Sequence, residues 1–500
     1  MTEPAIIAAL MRGDLAAAEA GCRVLADSPD GAGPALYLLG LVRHRQNRID
    51  TALDLLARAA AALPHRLDIA FNHGVILREA GRLEAAIAEW TRVLVQAPDH
   101  RDAAFNRARA LTDLGDDGAA ADSYRAVLTL RPGDGDALAN LGNCLYRLGR
   151  FDEAAAVFAR LADAEGTARG PANLGMALAA QNRREAAEAA YRQAIAREPG
   201  AATAHYNLAM LLLEDRRWAE GLAEFEWRLA QPQPGSIRPD LPLWRGGEPP
   251  GTRILVWNDQ GMGDAIQFLR HVRPLAERGL RVTVLVQTPL VGLAATIPGV
   301  ERVVGPHDIL PAADIQAPLL SLPHLLGAAD LDRSWPGAPY VGAGRKPSSA
   351  PPRRVGLVWA GNPDHANDGR RSLALDELAP LLAADGIEWT ALQHGGAAAQ
   401  AGQGPWAGRI RDRSAELTDF AATAAIMAGL DLVISVDTAP AHLAGAMGVP
   451  VWVLLPDTGL DWRWPRGGPA TGLYPSMRLY RRPPEGWPAL ARRLAADLIG

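Results

Sequence analysis

The chain has 500 residues, of which 48% are hydrophobic and 21% charged, and its formal net charge is -5. This length predicts roughly three units with separate cores, and the charge gives no electrostatic support for nucleic acid binding. The two cysteines stand in no metal-ligand spacing, which favours a reducing compartment. Since no signal-peptide pattern and no bilayer-length apolar stretch occurs, we expect a soluble cytoplasmic protein without a membrane span.

The first half repeats with a period near 34 residues. A small residue is followed twelve positions later by a second small residue and four positions after that by a bulky one, and prolines recur with the same period. Small residues let two helices approach closely, a bulky residue fills the groove to the next unit, and proline stops the second helix. The first small positions are Gly40, Gly74, Ala108, Gly142, Gly175 and Ala209, and the bulky ones are Leu56, Trp90, Tyr124, Phe158, Tyr191 and Phe225.

This pattern resembles the tetratricopeptide repeat (TPR). The resemblance implies an α-helical TPR superhelix over residues 1–232, of about seven units, with a degenerate first unit in residues 1–30. Stacks of this kind have a concave binding surface that is lined by the first helix of each unit. We therefore expect a protein partner in that groove.

An asparagine precedes the first small residue by two positions in five successive units, and Leu38 occupies this slot in the unit before them. A side-chain amide can donate to and accept from the backbone of an extended peptide without reading its side chains. The alternative is a polar residue on a solvated helix face. The arrangement resembles the asparagine ladder with which O-GlcNAc transferases hold acceptor peptides. The predicted ladder consists of Asn72, Asn106, Asn140, Asn173 and Asn207.

After a linker at residues 233–251, the pattern changes to alternating strands and helices. Ile254–Trp257, a glycine turn, a helix over Ala265–Arg278 and Val282–Val286 form a βαβ unit, which implies a parallel sheet. A Pro/Ser-rich stretch, Arg345–Pro352, separates this half (252–345) from a second one (346–500). The strands predicted in the second half are Val355–Trp359, Ile387–Leu392, Leu432–Ser435 and Val451–Leu455. We expect a cleft between the carboxyl ends of the two sheets.

Two short motifs follow strands of this unit. In Gly261-Met262-Gly263-Asp264 the turn glycines are Gly261 and Gly263, and Asp264 is either a functional carboxylate or a helix N-cap. In Ile434–Pro450 a buried strand enters a helix through Asp437-Thr438-Ala439-Pro440. The free N–H groups and positive dipole at that helix start can hold a phosphate.

Together these motifs make residues 250–500 resemble glycosyltransferase family 9, the heptosyltransferase-like enzymes. The resemblance implies an α/β GT-B glycosyltransferase domain of two Rossmann-like halves, inversion at the sugar, and neither metal nor cofactor besides the nucleotide-sugar co-substrate. Asp264 matches the family's acceptor-activating carboxylate, and Asp437–Ala441, including Thr438 and Ala439, match the turn that binds the donor phosphates.

Five more side chains are candidates for contact with the donor. A family lysine that meets the phosphates is absent, and either Arg370 or Arg371 is expected in its place. Gln393 falls where a ribose contact is expected, with a plain loop residue as the alternative, and Ser435 is a second candidate there. His442 either braces Asp437 or contacts the phosphate or sugar directly.

The joined repeats and transferase domain resemble a bacterial group linked to protein glycosylation, including flagellin modification. The leading hypothesis is a transferase that moves a sugar to Ser or Thr hydroxyls of a protein acceptor held in the repeat groove. A glycan or lipopolysaccharide transferase that uses its repeats for docking is one alternative. A non-catalytic scaffold is the other, although it would have no need of Asp264, Asp437 and the arginine pair.

Overall fold

The computed structural model describes residues 2–231, 237–328, 331, 337–342, 353–365, 367–459 and 461–499. Two compact units make up the chain, Met1–Ala204 and His205–Gly500. Two features of the predicted organisation, Pro232 at the end of the array and the Pro/Ser-rich stretch Arg345–Pro352, lie outside the described residues.

Consecutive helices pair as antiparallel hairpins, as the repeat pattern predicts. Their bounds are α1 (Glu3–Met11), α2 (Leu15–Ala26), α3 (Ala32–Arg45), α4 (Ile49–Ala62), α5 (Leu67–Glu79), α6 (Leu83–Gln96), α7 (Arg101–Leu114), α8 (Asp117–Leu130), α9 (Gly135–Arg147), α10 (Phe151–Ala164), α11 (Arg169–Ala180), α12 (Arg184–Arg197), α13 (Ala202–Glu214) and α14 (Trp218–Phe225). The predicted first unit corresponds to the pair α1 and α2.

The small residue of a unit packs against the bulky residue of the same unit. A Cβ atom added to Gly142 would lie 2.3 Å from the Phe158 ring, and one added to Gly74 would lie 2.7 Å from the Trp90 ring. The sequence-based expectation that the bulky residue fills the groove to the next unit is therefore incomplete. The large side chain packs within its own hairpin because only glycine or alanine leaves room for it there.

The residue seven positions after each small residue has a left-handed backbone and ends the first helix of its unit. Glycine tolerates this conformation best, but asparagine also adopts it locally. The positions and φ angles are Asn47 (59°), Gly81 (73°), Gly115 (86°), Gly149 (74°), Asn182 (60°) and Arg216 (60°).

The second unit contains two parallel sheets. The first has the strand order β3-β2-β1-β4, and the second has the order β10-β9-β8-β5-β6-β7. The strands are β1 (Arg253–Trp257), β2 (Arg281–Leu285), β3 (Val300–Val304), β4 (Ile315–Pro318), β5 (Arg354–Val358), β6 (Glu388–Ala391), β7 (Ile410–Asp412), β8 (Leu432–Val436), β9 (Val451–Leu455) and β10 (Met477–Arg481). Of these, β3, β4, β7 and β10 have no counterpart among the strands predicted from the sequence.

Short helices flank both sheets, and a longer one ends the chain. They are α15 (Met262–Phe268), α16 (Val272–Glu277), α17 (Val291–Ala294), α18 (Leu322–Leu325), α19 (Asp368–Arg371), α20 (Ala379–Leu382), α21 (Phe420–Met427), α22 (Ala439–Ala446) and α23 (Trp487–Ile499). The helix predicted over Ala265–Arg278 is α15 and α16, joined by a 3-10 turn at Leu269–His271.

The last helical hairpin shares a hydrophobic core with the α/β part of the second unit. Leu213 of α13 and Phe225 of α14 belong to the same buried cluster as Val256 of β1 and Val433 of β8. This hairpin is therefore packed like part of the α/β core.

Candidate active site

A cavity of about 840 Å³ lies at the carboxyl ends of the strands of the second unit. Both halves line it: Gly261–Asp264 at the start of α15 from the first, and Thr438–Pro440 at the start of α22 from the second. Met210 and Glu214 of α13 also line this cavity. One cavity thus contains both sequence motifs and two residues of the last repeat.

Gly263 allows α15 and α22 to pack closely at the bottom of the cavity. A Cβ atom at this position would lie 3.2 Å from Cδ2 of His442 and 3.4 Å from Cα of Ala439. The second turn glycine, Gly261, is the N-cap of α15. The glycine motif therefore sets the distance between Asp264 and the start of α22.

Asp264 lies at the first turn of α15, with its side chain 27% exposed. Oδ2 accepts a hydrogen bond from the Gly261 backbone at 3.0 Å, so Asp264 serves its own helix start as well. Oδ1 accepts from the guanidinium of Arg463 at 2.5 Å. Burial raises the pKa of the Asp264 carboxyl, and the charge of Arg463 opposes this rise.

Asp437 follows β8, and its backbone and side chain have different partners. Its carbonyl oxygen accepts from Arg371 at 2.9 Å, and Oδ2 accepts from the indole N–H of Trp464 at 2.8 Å. Burial and the charge of Asp461 raise the pKa of Asp437 to about 6. Thr438 is the N-cap of α22, and Ala439 is its first residue.

The two candidate arginines differ in position. Arg371 lines the cavity and is largely buried, whereas Arg370 is exposed and does not belong to the lining. His365 of the same loop lines the cavity as well, and burial and the charge of Arg371 lower its pKa. Of the two, Arg371 is the one whose side chain lines the cavity.

His442, on the first turn of α22, is almost fully buried and lines the cavity. Its Nδ1 lies 3.2 Å from the hydroxyl of Tyr474, and its ring stacks on Trp464 at 5.5 Å. Burial and the nearby Arg463 lower the pKa of His442 to about 3, so the imidazole is neutral at physiological pH.

The two residues suggested for ribose contact have internal hydrogen-bond partners. Gln393 accepts from the backbone N–H groups of Trp359 and Ala360 and donates to the carbonyls of Ala360 and His394, all at 3.0 Å. Gln393 lines the cavity, but both its amide oxygen and its amide nitrogen are hydrogen-bonded to the backbone of the loop after β5 or of the next residue. Ser435 is fully buried and donates to the carbonyl of Val436 at 2.7 Å.

Sequence reasoning missed the segment Asp461–Trp464, which follows β9. Asp461, Trp462 and Arg463 line the cavity, and Trp464 reaches Asp437. The sequence did contain a signal for this segment. It has two tryptophans beside a possible ion pair, and it follows a predicted strand of a parallel sheet. Residues at that edge of a sheet face the cleft.

The five asparagines of the predicted ladder all lie on first helices and are partly exposed. Asn72 donates to the hydroxyl of Tyr37 at 2.8 Å and to the carbonyl of Asp68 at 2.9 Å. Within the described part of the chain, Asn106, Asn140, Asn173 and Asn207 make no side-chain hydrogen bond. Asn207 belongs to the second unit, where Met210 and Glu214 follow it on α13.

Comparisons with known proteins match both parts of the chain. Residues 71–135 and 172–237 match one tetratricopeptide repeat family model, and residues 111–170 match another. Residues 415–458, which contain Asp437 and α22, match that of glycosyltransferase family 9 (heptosyltransferase). The chain thus contains segments similar to tetratricopeptide repeats and a segment similar to family 9 glycosyltransferases.

Protein FlbA of Caulobacter vibrioides is 26% identical to this chain over 358 residues. The match covers 61% of this chain and 57% of FlbA, so the chain spans little more than half of that relative. Among solved structures, MamA 41-end from Desulfovibrio magneticus RS-1 is 21% identical, with a TM-score of 0.31, over 33% of this chain and 97% of that MamA chain. YrrB, a TPR protein with an unusual peptide-binding site, is 18% identical, with a TM-score of 0.31, over 35% of this chain and 91% of YrrB.

None of the helices in the described ranges combines the length and apolar character needed to cross a membrane.

Proposed function

We propose that this protein transfers a sugar from a nucleotide-sugar donor to Ser or Thr hydroxyls of a polypeptide, with inversion and without a metal ion or further cofactor. The observation that carries the proposal is the composition of one cavity. It joins a carboxylate at the start of α15, the first turn of α22, and the last repeat helix. A donor, a base and a polypeptide acceptor could meet there.

The donor diphosphate would lie against the start of α22, where the helix dipole and Arg371 favour negative charge. When the bond between the anomeric carbon and the phosphate oxygen breaks, its electron pair passes to the leaving phosphate. Interactions that strengthen with this charge lower the barrier to reaction. Neutral His442 fits the role of a hydrogen-bonding group better than that of a general acid, because its pKa lies far below neutral pH.

Asp264 would accept the proton of the acceptor hydroxyl as its oxygen bonds to the anomeric carbon. Each carboxylate oxygen already accepts one hydrogen bond, from Arg463 or from Gly261. Each retains a second lone pair for the substrate. Attack from the Asp264 side with departure towards α22 would invert the anomeric centre.

The polypeptide acceptor is proposed from the face of α13. Asn207, Met210 and Glu214 are separated by three and four residues, which places them on one side of the helix. Met210 and Glu214 line the cavity, so an extended segment bound along this side would bring a hydroxyl towards the reacting atoms. Flagellin is the acceptor we would test first, because of the resemblance to bacterial protein-glycosylating proteins.

The experiment incubates the purified full chain with UDP-, GDP-, ADP- and CMP-linked sugars and flagellin from cells that lack this protein. Intact mass spectrometry would detect a sugar-sized gain in flagellin, and nucleotide release would report turnover. Asp264→Asn should reduce transfer by at least about 10²-fold, in keeping with loss of a general base. If lipopolysaccharide gained the sugar and flagellin did not, the protein-acceptor proposal would be wrong.

A triple variant tests the asparagines. Asn140→Ala, Asn173→Ala and Asn207→Ala together should raise KM for the protein acceptor at least about tenfold, since backbone hydrogen bonds are worth about 1 kcal/mol each. The donor KM should not change. Gln96→Ala with Gln193→Ala removes two exposed amides from second helices and serves as the matched control. Unchanged kinetics in the triple variant would refute peptide binding by the ladder.

A further inference from the structure

Arg463 connects the two halves of the second unit through ion pairs of its buried guanidinium. Its side chain is 6% exposed, comes from the loop after β9, and donates to Oδ1 of Asp264 at 2.5 Å. Its Nη1 donates to both carboxylate oxygens of Asp461, at 2.8 and 2.9 Å, and its Nε donates to Gln267 of α15. A guanidinium with this many fixed partners holds the facing carboxylate in one orientation.

Trp464 belongs to the same segment and contacts Asp437 in the way that Arg463 contacts Asp264. Its indole N–H donates to Oδ2 of Asp437 at 2.8 Å, and its ring stacks on His442. Asp264 and Asp437 thus each accept one side-chain hydrogen bond from the same four-residue segment.

The segment is itself held by the last repeat. The Trp462 ring packs edge-on against Trp218 of α14, with centroids 6.0 Å apart, and the Arg463 guanidinium lies 4.4 Å from the centre of the Trp462 ring. Trp218, Trp462 and Trp464 all belong to the buried core of the second unit. Their burial limits movement of the segment.

The charges around Asp264 explain why a cation is needed there. Asp461, Asp259, His365 and the partly buried Tyr206 of α13 interact with it electrostatically, and Arg463 is the cation in direct contact with it. Burial and the neighbouring acids favour the protonated carboxyl. A general base must be ionised, so it depends on Arg463 for its charge as well as its orientation.

We propose that Arg463 and Trp464 are positioning residues for catalysis: Arg463 orients Asp264 and keeps it ionised, and Trp464 fixes Asp437 at the donor turn. This proposal rests on the proposed function, because it assigns Asp264 the role of the base. The proposal gives a role to the segment Asp461–Trp464, which lies outside both the glycine turn and the donor turn. The alignment of Asp264 and Asp437 then depends on this one loop.

The first test is the pH dependence of kcat/KM for transfer to flagellin, using the donor identified in the panel. Arg463→Gln should shift the acidic limb of the kcat/KM profile to higher pH by at least about one unit, since an adjacent opposite charge lowers a carboxyl pKa by about 1–3 units. Arg463→Lys should reverse part of this shift, because lysine keeps the charge but lacks the three separate guanidinium nitrogens that reach Asp264, Asp461 and Gln267. Arg281→Gln, which breaks the exposed pair with Glu301, is the control and should leave the limb in place.

Trp464→Phe should give a different signature. It retains a ring against His442 but loses the N–H bond to Asp437, so the donor KM should rise several-fold while the acidic limb stays where it is. If Arg463→Gln lowered the rate equally at every pH, and lysine rescued nothing, Arg463 would be only structural and the proposal would be overturned.

A second measurement separates this proposal from the proposed function. If Asp264→Asn kept full transfer, the base assignment itself would fail, whatever Arg463 does. If Asp264→Asn lost transfer but Arg463→Gln kept the wild-type profile, only the positioning proposal would fail. Thermal unfolding of Arg463→Gln, Asp264→Asn and the double variant needs no substrate. The two effects on the melting temperature should be clearly non-additive, and additivity would overturn the contact.

Discussion

At the scale of single residues, the site depends on how closely two helix starts can approach. Gly263 leaves the space into which the edge of His442 fits, and this contact places Asp264 beside the start of α22. The glycine motif was recognisable in the sequence because it follows a strand. The sequence did not show why glycine is needed at this position. The reason is contact with a helix of the other half, and His442 of that helix lies almost 180 residues further along the chain.

Gly263→Val should disturb this packing and the activity together. The added methyl groups would enter space held by His442 and Ala439, and overpacking of this kind costs about 1–3 kcal/mol. A lower melting temperature and a large loss of transfer are expected. Gly402→Val is the control, because no atom lies within 4 Å of a Cβ there and the residue is exposed. Equal effects of the two variants would contradict the assignment.

Asp437 shows a site residue held at a cost to stability. Its pKa in the folded protein is about 6, against about 3.9 for an aspartate in an unfolded chain. The folded state therefore binds this proton more tightly. The contribution of Asp437 to the free energy of unfolding therefore falls as the pH rises from about 4 to about 6, by at most about 3 kcal/mol.

Asp437→Asn should accordingly stabilise the protein at neutral pH. The amide can still accept from Trp464 but avoids burying a charge, so the melting temperature at pH 7.5 should rise by a few degrees. The difference from wild type should shrink at pH 4.5, where Asp437 is largely protonated. Transfer should fall at the same time. A melting difference that is constant with pH would show that ionisation of Asp437 is not the cause.

At the scale of elements, the turn that follows α14 connects the last repeat to the first sheet. Arg228 has no exposed surface, and it donates to Asp259, after β1, at 2.7 Å and to Ser321 at 2.8 Å. Removing one partner of a buried pair leaves the other charge uncompensated, which costs more than the pair itself contributes. The turn is therefore as firmly attached as a core element.

Arg228→Met should destabilise the second unit by about 3–5 kcal/mol, because Asp259 would remain buried without a cation. Urea unfolding followed by tryptophan fluorescence would measure the loss. Arg253→Met breaks a half-exposed pair with Asp314 and should cost no more than about 1 kcal/mol. The reverse ranking would refute the structural role of Arg228.

The elements also show what local sequence can reveal. The strands that were predicted, such as β1 and β8, are continuous apolar runs buried on both faces. The missed strands are all sheet edges and lack this signal: β3, β7 and β10 carry exposed charged residues, and β4 contains Gln316 and Pro318. Edge strands need less apolar surface, so their pattern does not distinguish them from loops.

At the scale of the whole molecule, the repeat pattern and the compact units divide the chain at different places. The pattern extends to residue 232, but the second unit begins at His205. The last hairpin has the residue pattern of the repeats before it. Its buried residues, such as Leu213 and Phe225, nevertheless belong to the hydrophobic core of the α/β part.

Two shortened chains would test this division. A chain beginning at Gly200 keeps the last hairpin and should be soluble, with a cooperative unfolding transition. A chain beginning at Ile237 lacks Arg228 and exposes the core surface that α13 and α14 cover, so it should aggregate or unfold at a much lower temperature. Equal melting temperatures for the two chains would show that the last hairpin is dispensable.

The sequence by itself determined the repeats, the parallel α/β halves, and the two turns that carry Asp264 and Asp437. These features are recorded in residue classes at short, fixed spacings, because the packing of a hairpin or a βαβ unit involves near neighbours. Only the tertiary structure decided that Arg371 rather than Arg370 faces the cavity, that Gln393 secures a loop, and that Arg463 meets Asp264. That last contact joins residues 199 positions apart, and such pairs depend on how two sheets dock, which no local pattern records.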